Sequence, residues 1–382
     1  MEDRTLIDRF SVKNFRSVQE SEAKLGPLTF FIGANGSGKT SFVDAIRFVA
    51  SALQSSLEEA LRIRGAIYTI LYHPKTHVTF PAHARFDLET SSTSGLKSEF
   101  HLELRVSEGW SVSVAREECT VEGPGGERHY YLVENGSVRG SAAVFPAVSA
   151  DRIFLSNASG LPEFRTLFDF LSGIRSTEPI SAGVYDFSER LGRLAKMEGL
   201  GLTARFHRLS KADPDRLEII QQYLRAVAPP FDRIEFIESS DGMWLQFVEE
   251  SRSGGPTRFY ISQSSAGLVN AAEILLELFQ PSSDGKPASP VIIEEPEAML
   301  HPGAIQVMRD AFLEASRFRQ VLVTTHSPDL LDDPSIRAEW IRAVHKDEEG
   351  THIDPIDSDT QSVIRDRLYT AGQLLRQGGL SL

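Results

Sequence analysis

A lysine and a threonine follow closely spaced glycines near the start of the chain, in FFIGANGSGKTSF. From Gly33 to Thr40 this segment matches the pattern G-x-x-x-x-G-K-[ST], a loop whose backbone N–H groups surround nucleotide phosphates. We expect Lys39 to reach the β- and γ-phosphates and Thr40 to bind Mg²⁺. The predicted nucleotide-binding residues here are Gly33, Asn35, Gly36, Ser37, Gly38, Lys39, Thr40 and Ser41.

Two adjacent carboxylates, Glu294 and Glu295, stand in VIIEEPEAMLHP. They follow Val291–Ile293, an apolar run typical of a buried strand, and open parallel sheets bind ligands at the carboxyl ends of their strands. The first carboxylate can hold Mg²⁺ through water, and the second can polarise the water that attacks a γ-phosphate. An acidic pair at a strand end is more often solvated surface, but the phosphate loop in the same chain favours catalysis.

A histidine, His326, stands in a third segment, QVLVTTHSPDLLD. Val321–Val323 predict another buried strand, so that the histidine emerges at the same sheet edge as the loop and the acids. A lone histidine usually carries no chemistry. At this edge, however, a neutral imidazole can hydrogen-bond a γ-phosphate or the attacking water.

The surrounding elements are those that such a site requires. Leu28–Ile32 reads as a buried parallel strand, and the stripe Phe42, Ala45, Ile46 and Val49 predicts a helix after the loop. The middle of the chain alternates apolar and polar residues with glycine-rich turns, which predicts antiparallel hairpins. Helical spacing follows, as in LGRLAKMEGL and RLEIIQQYLRAV, until Pro229 and Pro230. There is no heptad run long enough for a coiled-coil arm.

These patterns predict an α/β fold with a mixed central sheet, an antiparallel β subdomain and a helical lobe. We expect residues 1–75 to form the N-terminal part of the core and residues 76–150 the β subdomain. Residues 151–230 are expected to form the helical lobe, and residues 231–382 the C-terminal part of the core.

Composition limits the classes of protein that fit. The chain has 382 residues, 41% of them hydrophobic, and a single cysteine, Cys119, which excludes an internal disulfide. No segment resembles a signal peptide or a membrane span, so we expect a cytoplasmic protein without a membrane partner. The net charge of −13 argues against a surface that binds duplex DNA everywhere. We therefore expect any DNA contact to be local, and the basic segment Arg205–Lys211 is the candidate. Such a basic segment is usually a solvated helix face.

The three segments together resemble the ATP-binding-cassette class of ATPases, and within it the RecF, SMC and OLD-like group. FSVKNFRSV, GANGSGKTSFVDAI, IIEEPEAMLHP and TTHSPDLL carry the resemblance. It implies a P-loop NTPase fold that binds ATP and Mg²⁺, with Glu294 as the acid on the metal side, Glu295 as the catalytic glutamate and His326 as the switch histidine. The family usually has Asp where Glu294 stands.

The family also has a signature segment that reaches the γ-phosphate held by a partner chain. YISQSSAGLVNAAEILLEL is the candidate, with Ser264, Ser265 and Gly267 as its best-placed residues. An ordinary serine-rich helix cap is the alternative interpretation. Leu61–Leu71 corresponds to the family's Q-loop region, where Arg62 and Arg64 are candidates for phosphate or partner contacts.

The resemblance implies an ATPase switch that forms a homodimer around ATP in DNA repair or anti-phage defence, with DNA and a separately encoded effector protein as its candidate partners. OLD-type nucleases continue into a Toprim domain, for which little sequence follows His326. Asp357 and Asp359 in that stretch are more simply explained as a loop before a helix than as a metal site. Two other classes are weaker alternatives, the ATPase subunit of a membrane transporter and a small-molecule P-loop kinase.

Overall fold

The computed structural model describes residues 4–65, 67–72, 83–107, 110–149, 151–177, 201–239, 242–250, 255–282 and 286–378. They form two compact units. The first takes Met1–Ser176, Ser282–Ile292 and Ser316–Leu382, and the second takes Thr177–Pro281 and Ile293–Ala315. Both units are therefore discontinuous in sequence.

The described strands, in chain order, are β1 (Thr5–Phe15), β2 (Val18–Lys24), β3 (Leu28–Ile32), β4 (His83–Ser92), β5 (Lys97–Val106), β6 (Val112–Glu122), β7 (Arg128–Glu134), β8 (Ser137–Gly140), β9 (Arg175–Thr177), β10 (Phe231–Ser239), β11 (Gly242–Glu249), β12 (Thr257–Tyr260), β13 (Val291–Glu294), β14 (Val321–Thr325), β15 (Ile341–Lys346) and β16 (Thr351–Pro355). The described α-helices are α1 (Lys39–Gln54), α2 (Leu57–Arg62), α3 (Ile67–Ile70), α4 (Phe154–Ala158), α5 (Pro162–Ser172), α6 (Leu202–Ala212), α7 (Pro214–Val227), α8 (Ala266–Phe279), α9 (Pro302–Ala315), α10 (Pro328–Leu331), α11 (Ser358–Arg365) and α12 (Ala371–Arg376).

A seven-stranded antiparallel sheet, in the order β2-β1-β4-β5-β6-β7-β8, belongs to the first unit. Side chains in β4 and β5 alternate between buried and more exposed, as the sequence pattern predicts for a sheet with one solvated face. Between β7 and β8, Asn135 and Gly136 have φ angles of 52° and 75°. Two successive positive φ values match the two-residue hairpin turn that Asn-Gly favours.

The second sheet of the first unit is mixed, in the order β16-β15-β3-β14-β13-β9. Strand β3 pairs in parallel with β14 and β15, whereas β15 and β16 form an antiparallel hairpin. In the sequence, the chain passes from the first unit to the second within β9 and again within β13.

Helix α1 lies between these two sheets. The ring of Phe42 contacts Phe10 of β1, with centroids 5.3 Å apart, and Phe31 of β3, with centroids 5.5 Å apart. Nearly two turns further on, Phe48 stacks on Phe86 of β4, with ring centroids 5.3 Å apart. Apolar residues on two sides of α1 are therefore buried, and the phosphate loop leads directly into the most buried helix of this unit.

The second unit combines helices α6 to α9 with a three-stranded antiparallel sheet in the order β10-β11-β12. Helix α7 packs against α8 and α9. The ring of Tyr223 stacks on Phe279 with centroids 5.5 Å apart, and its hydroxyl donates to Glu314 over 2.6 Å. The phenol thereby joins all three helices.

The predicted fold class is confirmed, with a mixed central sheet, antiparallel hairpins and helices. The expected strand Leu28–Ile32 agrees with β3, and the helical pattern RLEIIQQYLRAV falls in α7, which ends before Pro229. The pattern LGRLAKMEGL, at 191–200, lies outside the described residues. The four-part division of the sequence stays a prediction. Within the described ranges, no helix combines the length and apolarity needed to cross a membrane.

Candidate functional site

The glycine loop connects the buried strand β3 to helix α1. Gly38 is the N-cap of α1 with φ 105° and ψ 8°, a left-handed conformation that favours glycine. Gly36 also has a positive φ, 78°, and no atom lies within 4 Å of the place where a side chain would begin. A turn from Ser37 N to Ala34 O, 3.1 Å, closes the loop. The loop therefore exposes backbone where a ligand can approach closely.

Lys39 folds back into this loop. Its side chain is almost fully buried, and its ammonium group donates to the carbonyls of Gly33 at 2.8 Å and Ala34 at 3.0 Å. Asn35 and Thr40 are exposed. The buried hydroxyl of Ser37 has no hydrogen-bond partner among the described residues. The loop thus offers an ammonium group, a buried hydroxyl group and the dipole of a long helix, a donor set that fits a nucleotide phosphate.

Residues of the β15–β16 hairpin pack against the glycine loop. The sequence did not predict this packing. The hydroxyl of Ser17 lies 2.8 Å from both Ser41 Oγ and Thr351 Oγ1. A Cβ atom on Gly38 would overlap the side chain of Thr351, and one on Gly33 would overlap the carbonyl of Val344. Thr351 lies far from the loop in sequence, and no motif marks it.

His326 follows β14 at the edge of the sheet where the glycine loop begins. In the parallel pair of β3 and β14, Ile32 is opposite Thr325. Gly33 and His326 are therefore the next residues after two paired positions on neighbouring strands. The His326 side chain is exposed, whereas Thr324 and Thr325 are fully buried. The predicted shared edge is present for these two residues.

The acidic pair has two distinct environments within the second unit. Glu294 is the last residue of β13 and is buried, with 5% of its surface exposed. Glu295 has a φ of 43°, which is uncommon for a residue with a side chain. Its carbonyl accepts from Ala298 N at 2.9 Å. This turn directs the chain away from the strand directly after Glu294, and such strained positions are frequent at active sites.

The predicted signature residues begin helix α8, also in the second unit. Ser265 is its N-cap and accepts from Leu268 N at 3.3 Å, while the hydroxyl of Ser264 donates to Tyr260 O at 3.1 Å. A Cβ on Gly267 would lie 2.6 Å from the carbonyl of Met299. The helix start is thus packed tightly against the turn after Glu295. The capping role is observed, and the signature role stays a prediction.

Asn270 is a further polar residue near this turn that the sequence reasoning missed. It is nearly fully buried in α8, and its amide donates to Ala298 O at 3.3 Å. An asparagine within a helix gives no signal of such a contact.

Three arginines surround the buried carboxylate of Asp44 on α1. The sequence patterns did not predict this cluster. Asp44 accepts from Arg16 at 2.8 Å, Arg47 at 3.0 Å and Arg64 at 3.1 Å. Burial lowers the pKa of Arg64 from its usual value, although the pair with Asp44 opposes the shift. Arg64 is thus engaged inside the fold, and Arg62 pairs with Glu59 on its own helix at 2.6 Å. The phosphate or partner contacts expected of Arg62 and Arg64 stay a prediction.

The candidate DNA segment and the C-terminal aspartates have simpler local roles. Arg205 in α6 pairs with Glu277, and Phe206 is fully buried, which leaves Arg208 and Lys211 as the exposed cations. Asp357 is the N-cap of α11 and accepts from the backbone N–H groups of Asp359 and Thr360. No group of three or more His, Cys, Asp and Glu side chains is arranged to hold a metal ion in the described ranges.

A mixed sheet with a glycine loop between a buried strand and a buried helix defines a P-loop NTPase of the ABC type. Two family models match the chain. The model "AAA ATPase domain" matches residues 6–104, and "AAA domain, putative AbiEii toxin, Type IV TA system" matches residues 157–332. Both models describe AAA-type ATPase domains, and together they support an ATPase of the RecF, SMC and OLD-like group.

The chain is also similar to two OLD nucleases. The OLD nuclease of Thermus scotoductus is 24% identical over 96% of this chain and 68% of its own length. The Old nuclease of Escherichia phage P2 is 24% identical over 84% of this chain, which spans only 56% of that protein.

The fold is similar to SMC head domains. One, bound to the C-winged helix domain of ScpA, has a TM-score of 0.53 and 15% identity, covering 93% of this chain and 99% of that one. Another, from Pyrococcus furiosus, has an extended coiled coil and is bound to the C-terminal domain of ScpA. Its TM-score is 0.53 at 12% identity, with 95% of this chain and 99% of that one covered. At these identities the likeness concerns the fold.

Proposed function

We propose that this protein binds and hydrolyses ATP with Mg²⁺ and uses the cycle as a conformational switch. The observation that carries the proposal is the glycine loop with Lys39 buried inside it and Thr40 exposed at the start of α1. Lys39 already holds its ammonium group against two loop carbonyls, so a phosphate can take over these contacts without a large movement of the side chain.

The proposal gives separate tasks to the remaining site residues. Asn35, Gly36, Ser37, Gly38 and Ser41 complete the phosphate and helix-terminus contacts. Thr40 and Glu294 would hold Mg²⁺, which when bound neutralises charge on the phosphates. Glu295 orients and deprotonates the attacking water, and His326 hydrogen-bonds the γ-phosphate or that water. These roles rest on the family and on the chemistry of each side chain.

The switch itself is proposed to be a homodimer. Ser264, Ser265 and Gly267 of one chain would complete the ATP site of another, so that ATP holds two chains together until hydrolysis releases them. The output would reach DNA or a separately encoded effector in DNA repair or anti-phage defence. Nuclease activity is in the names of two relatives, of which this chain spans 68% and 56%.

Two substitutions test the enzymatic part of the proposal. Lys39→Ala removes a positive charge from the β/γ-phosphate site and should weaken ATP binding at least tenfold. Glu295→Gln keeps the shape of the side chain but removes the base, so ATP should bind with near wild-type affinity while turnover falls by about 10²-fold or more. Equilibrium binding of ATP and phosphate release, measured on the same preparations, separate the two effects. Wild-type turnover in Glu295→Gln would assign the base to another residue.

A further inference from the structure

A polar cavity other than the glycine loop lies within the first unit, with a volume of about 140 Å³. Its wall is formed by the end of α5, the start of β9 and the segments that lead into β13 and β14. The described lining residues are Asp169, Ser172, Gly173, Arg175, Ser282, Lys286, Pro287, Ser289 and Arg319. None of these residues has a place in the proposed ATP site.

The cavity and the phosphate loop lie at opposite ends of the same sheet. Ser289 stands two residues before the first residue of β13, and Arg319 stands two residues before the first residue of β14. Gly33 and His326, in contrast, follow the last residues of β3 and β14. A strand of this length spans roughly 16 Å. The cavity is therefore separate from the nucleotide site, although β14 connects the two.

Positive charge predominates in the cavity wall. Three of the described lining side chains, Arg175, Lys286 and Arg319, are cationic, against the single carboxylate of Asp169. That carboxylate is shared with Arg165, which lies outside the lining, at 2.6 Å, and with Lys286 at 3.0 Å. Burial opposes its ionisation, but the hydrogen bonds from Arg165 and Lys286 outweigh burial and lower its pKa. Asp169 is thus ionised and already shared between two cations.

The three cations differ in burial, since Arg319 is buried, Arg175 is half-buried and the Lys286 side chain is 42% exposed. Arg319 is 3% exposed, and its guanidinium carbon lies 5.9 Å from the centre of the Phe318 ring. The backbone N–H of Arg175 donates to Pro290 O at 3.2 Å, which fixes the start of β9 beside the cavity. Ser172 and Ser289 add hydroxyl groups to the wall. Planar guanidinium groups beside hydroxyl donors are suited to tetrahedral oxyanions.

We propose that this cavity binds a phosphate-type oxyanion, held by Arg175, Arg319 and Lys286. The oxyanion is either free inorganic phosphate or a phosphate group of a nucleic-acid backbone, since both present the same chemistry to the guanidinium groups. The proposal is independent of the ATPase function, because its residues and its end of the sheet are different.

Calorimetric titration of inorganic phosphate into the Lys39→Ala protein tests the cavity with the phosphate loop weakened. Arg175→Gln and Lys286→Gln, each added to Lys39→Ala, should weaken phosphate binding at least tenfold. Arg165→Gln is the matched control, since Arg165 pairs with the same carboxylate from outside the cavity, and it should change the affinity less than twofold. The two cavity variants avoid the buried Arg319, whose replacement threatens folding.

A short single-stranded DNA oligonucleotide added in competition distinguishes the two sources of phosphate. Displacement of inorganic phosphate by the oligonucleotide indicates a backbone phosphate, and a lack of displacement indicates free phosphate. Absence of phosphate binding to the Lys39→Ala protein, or equal binding by all the double variants, would overturn the proposal and show that the cations are neutralised within the chain.

Discussion

At the scale of single residues, Glu117 is a carboxyl group with no exposed surface inside the first unit. Three donors converge on it, the hydroxyl of Tyr131 at 2.7 Å and the backbone N–H groups of Phe154 at 2.6 Å and Leu155 at 2.7 Å. Burial raises the pKa of Glu117 to about 7, although these hydrogen bonds oppose the shift. The group joins β6 to the first turn of α4, and it titrates near neutral pH.

This raised pKa predicts a pH-dependent stability. The folded state holds the proton more tightly than the unfolded chain, whose glutamates titrate near pH ~4.3. The free energy of unfolding is therefore highest below that pH and falls as pH rises toward about 7, by up to about 3 kcal/mol from this group. Glu117→Gln should flatten this part of the profile in urea unfolding between pH 5 and pH 8. Glu118→Gln, at an exposed neighbour, serves as the control and should keep the wild-type slope.

The residue scale is also where sequence reasoning was most informative about chemistry. Lys39, Thr40 and His326 can be proposed from sequence because each stands directly after a strand or a glycine turn, positions that local patterns reveal. The cluster of Asp44 and its arginines was missed because Arg16 and Arg64 are distant from Asp44 in sequence. The helical pattern of α1 marks Asp44 only as a polar residue. Contacts between distant segments leave no local signal in one sequence.

At the scale of elements, the β15–β16 hairpin fixes the shape of the phosphate loop. Gly38 and Gly36 both have positive φ, but only at Gly38 would a side chain overlap Thr351. Alanine at either position is strained by its backbone conformation, at a cost of roughly 1–2 kcal/mol. Gly38→Ala should cost more than Gly36→Ala, because the hairpin must also move. Thermal unfolding of both variants without nucleotide measures the difference, and equal losses would show that Thr351 does not support the loop.

The elements themselves were largely predictable, and their pairing was not. The bounds of β3 agree with the predicted run Leu28–Ile32 because a run of apolar and β-branched residues before a glycine has few other uses in an α/β fold. The pairing of β1 with β4, in contrast, joins strands between which β2, β3 and α1 to α3 lie in the sequence. The apolar and polar residues of each strand alternate in a pattern that is compatible with several neighbouring strands. Only three-dimensional packing therefore selects the pairing partner.

At the scale of the whole molecule, the residues that we propose for the ATP cycle are divided between the two units. The phosphate loop and His326 belong to the first unit, whereas Glu295 and the signature residues belong to the second. Family resemblance assigned these roles from sequence, since the signature pattern is too weak to be found by spacing alone. A nucleotide that holds two chains together would be read as a change of assembly state.

The final prediction therefore concerns assembly. In the Glu295→Gln protein, ATP and Mg²⁺ should persist and shift the mass measured by light scattering from 42.3 kDa to roughly twice that value, because a ligand that binds only the closed dimer stabilises it by mass action. The wild-type protein should return to its starting mass as ATP is hydrolysed. ADP should leave both proteins unchanged.

Ser265→Arg, added to Glu295→Gln, provides the discriminating control. Ser265 caps α8, and an arginine there places a long cation where the proposal puts the partner's γ-phosphate site, so closure should fail while each chain still binds ATP through its own loop. Ser265→Thr retains a capping hydroxyl and should dimerise normally, which separates loss of the cap from obstruction of the interface. If the apo protein is already dimeric, cross-linking between cysteines introduced near Ser37 and Ser264 replaces mass as the measurement. A Glu295→Gln protein that binds ATP but neither dimerises nor cross-links would show that one chain completes its own site, and the switch would then have to operate within a single molecule.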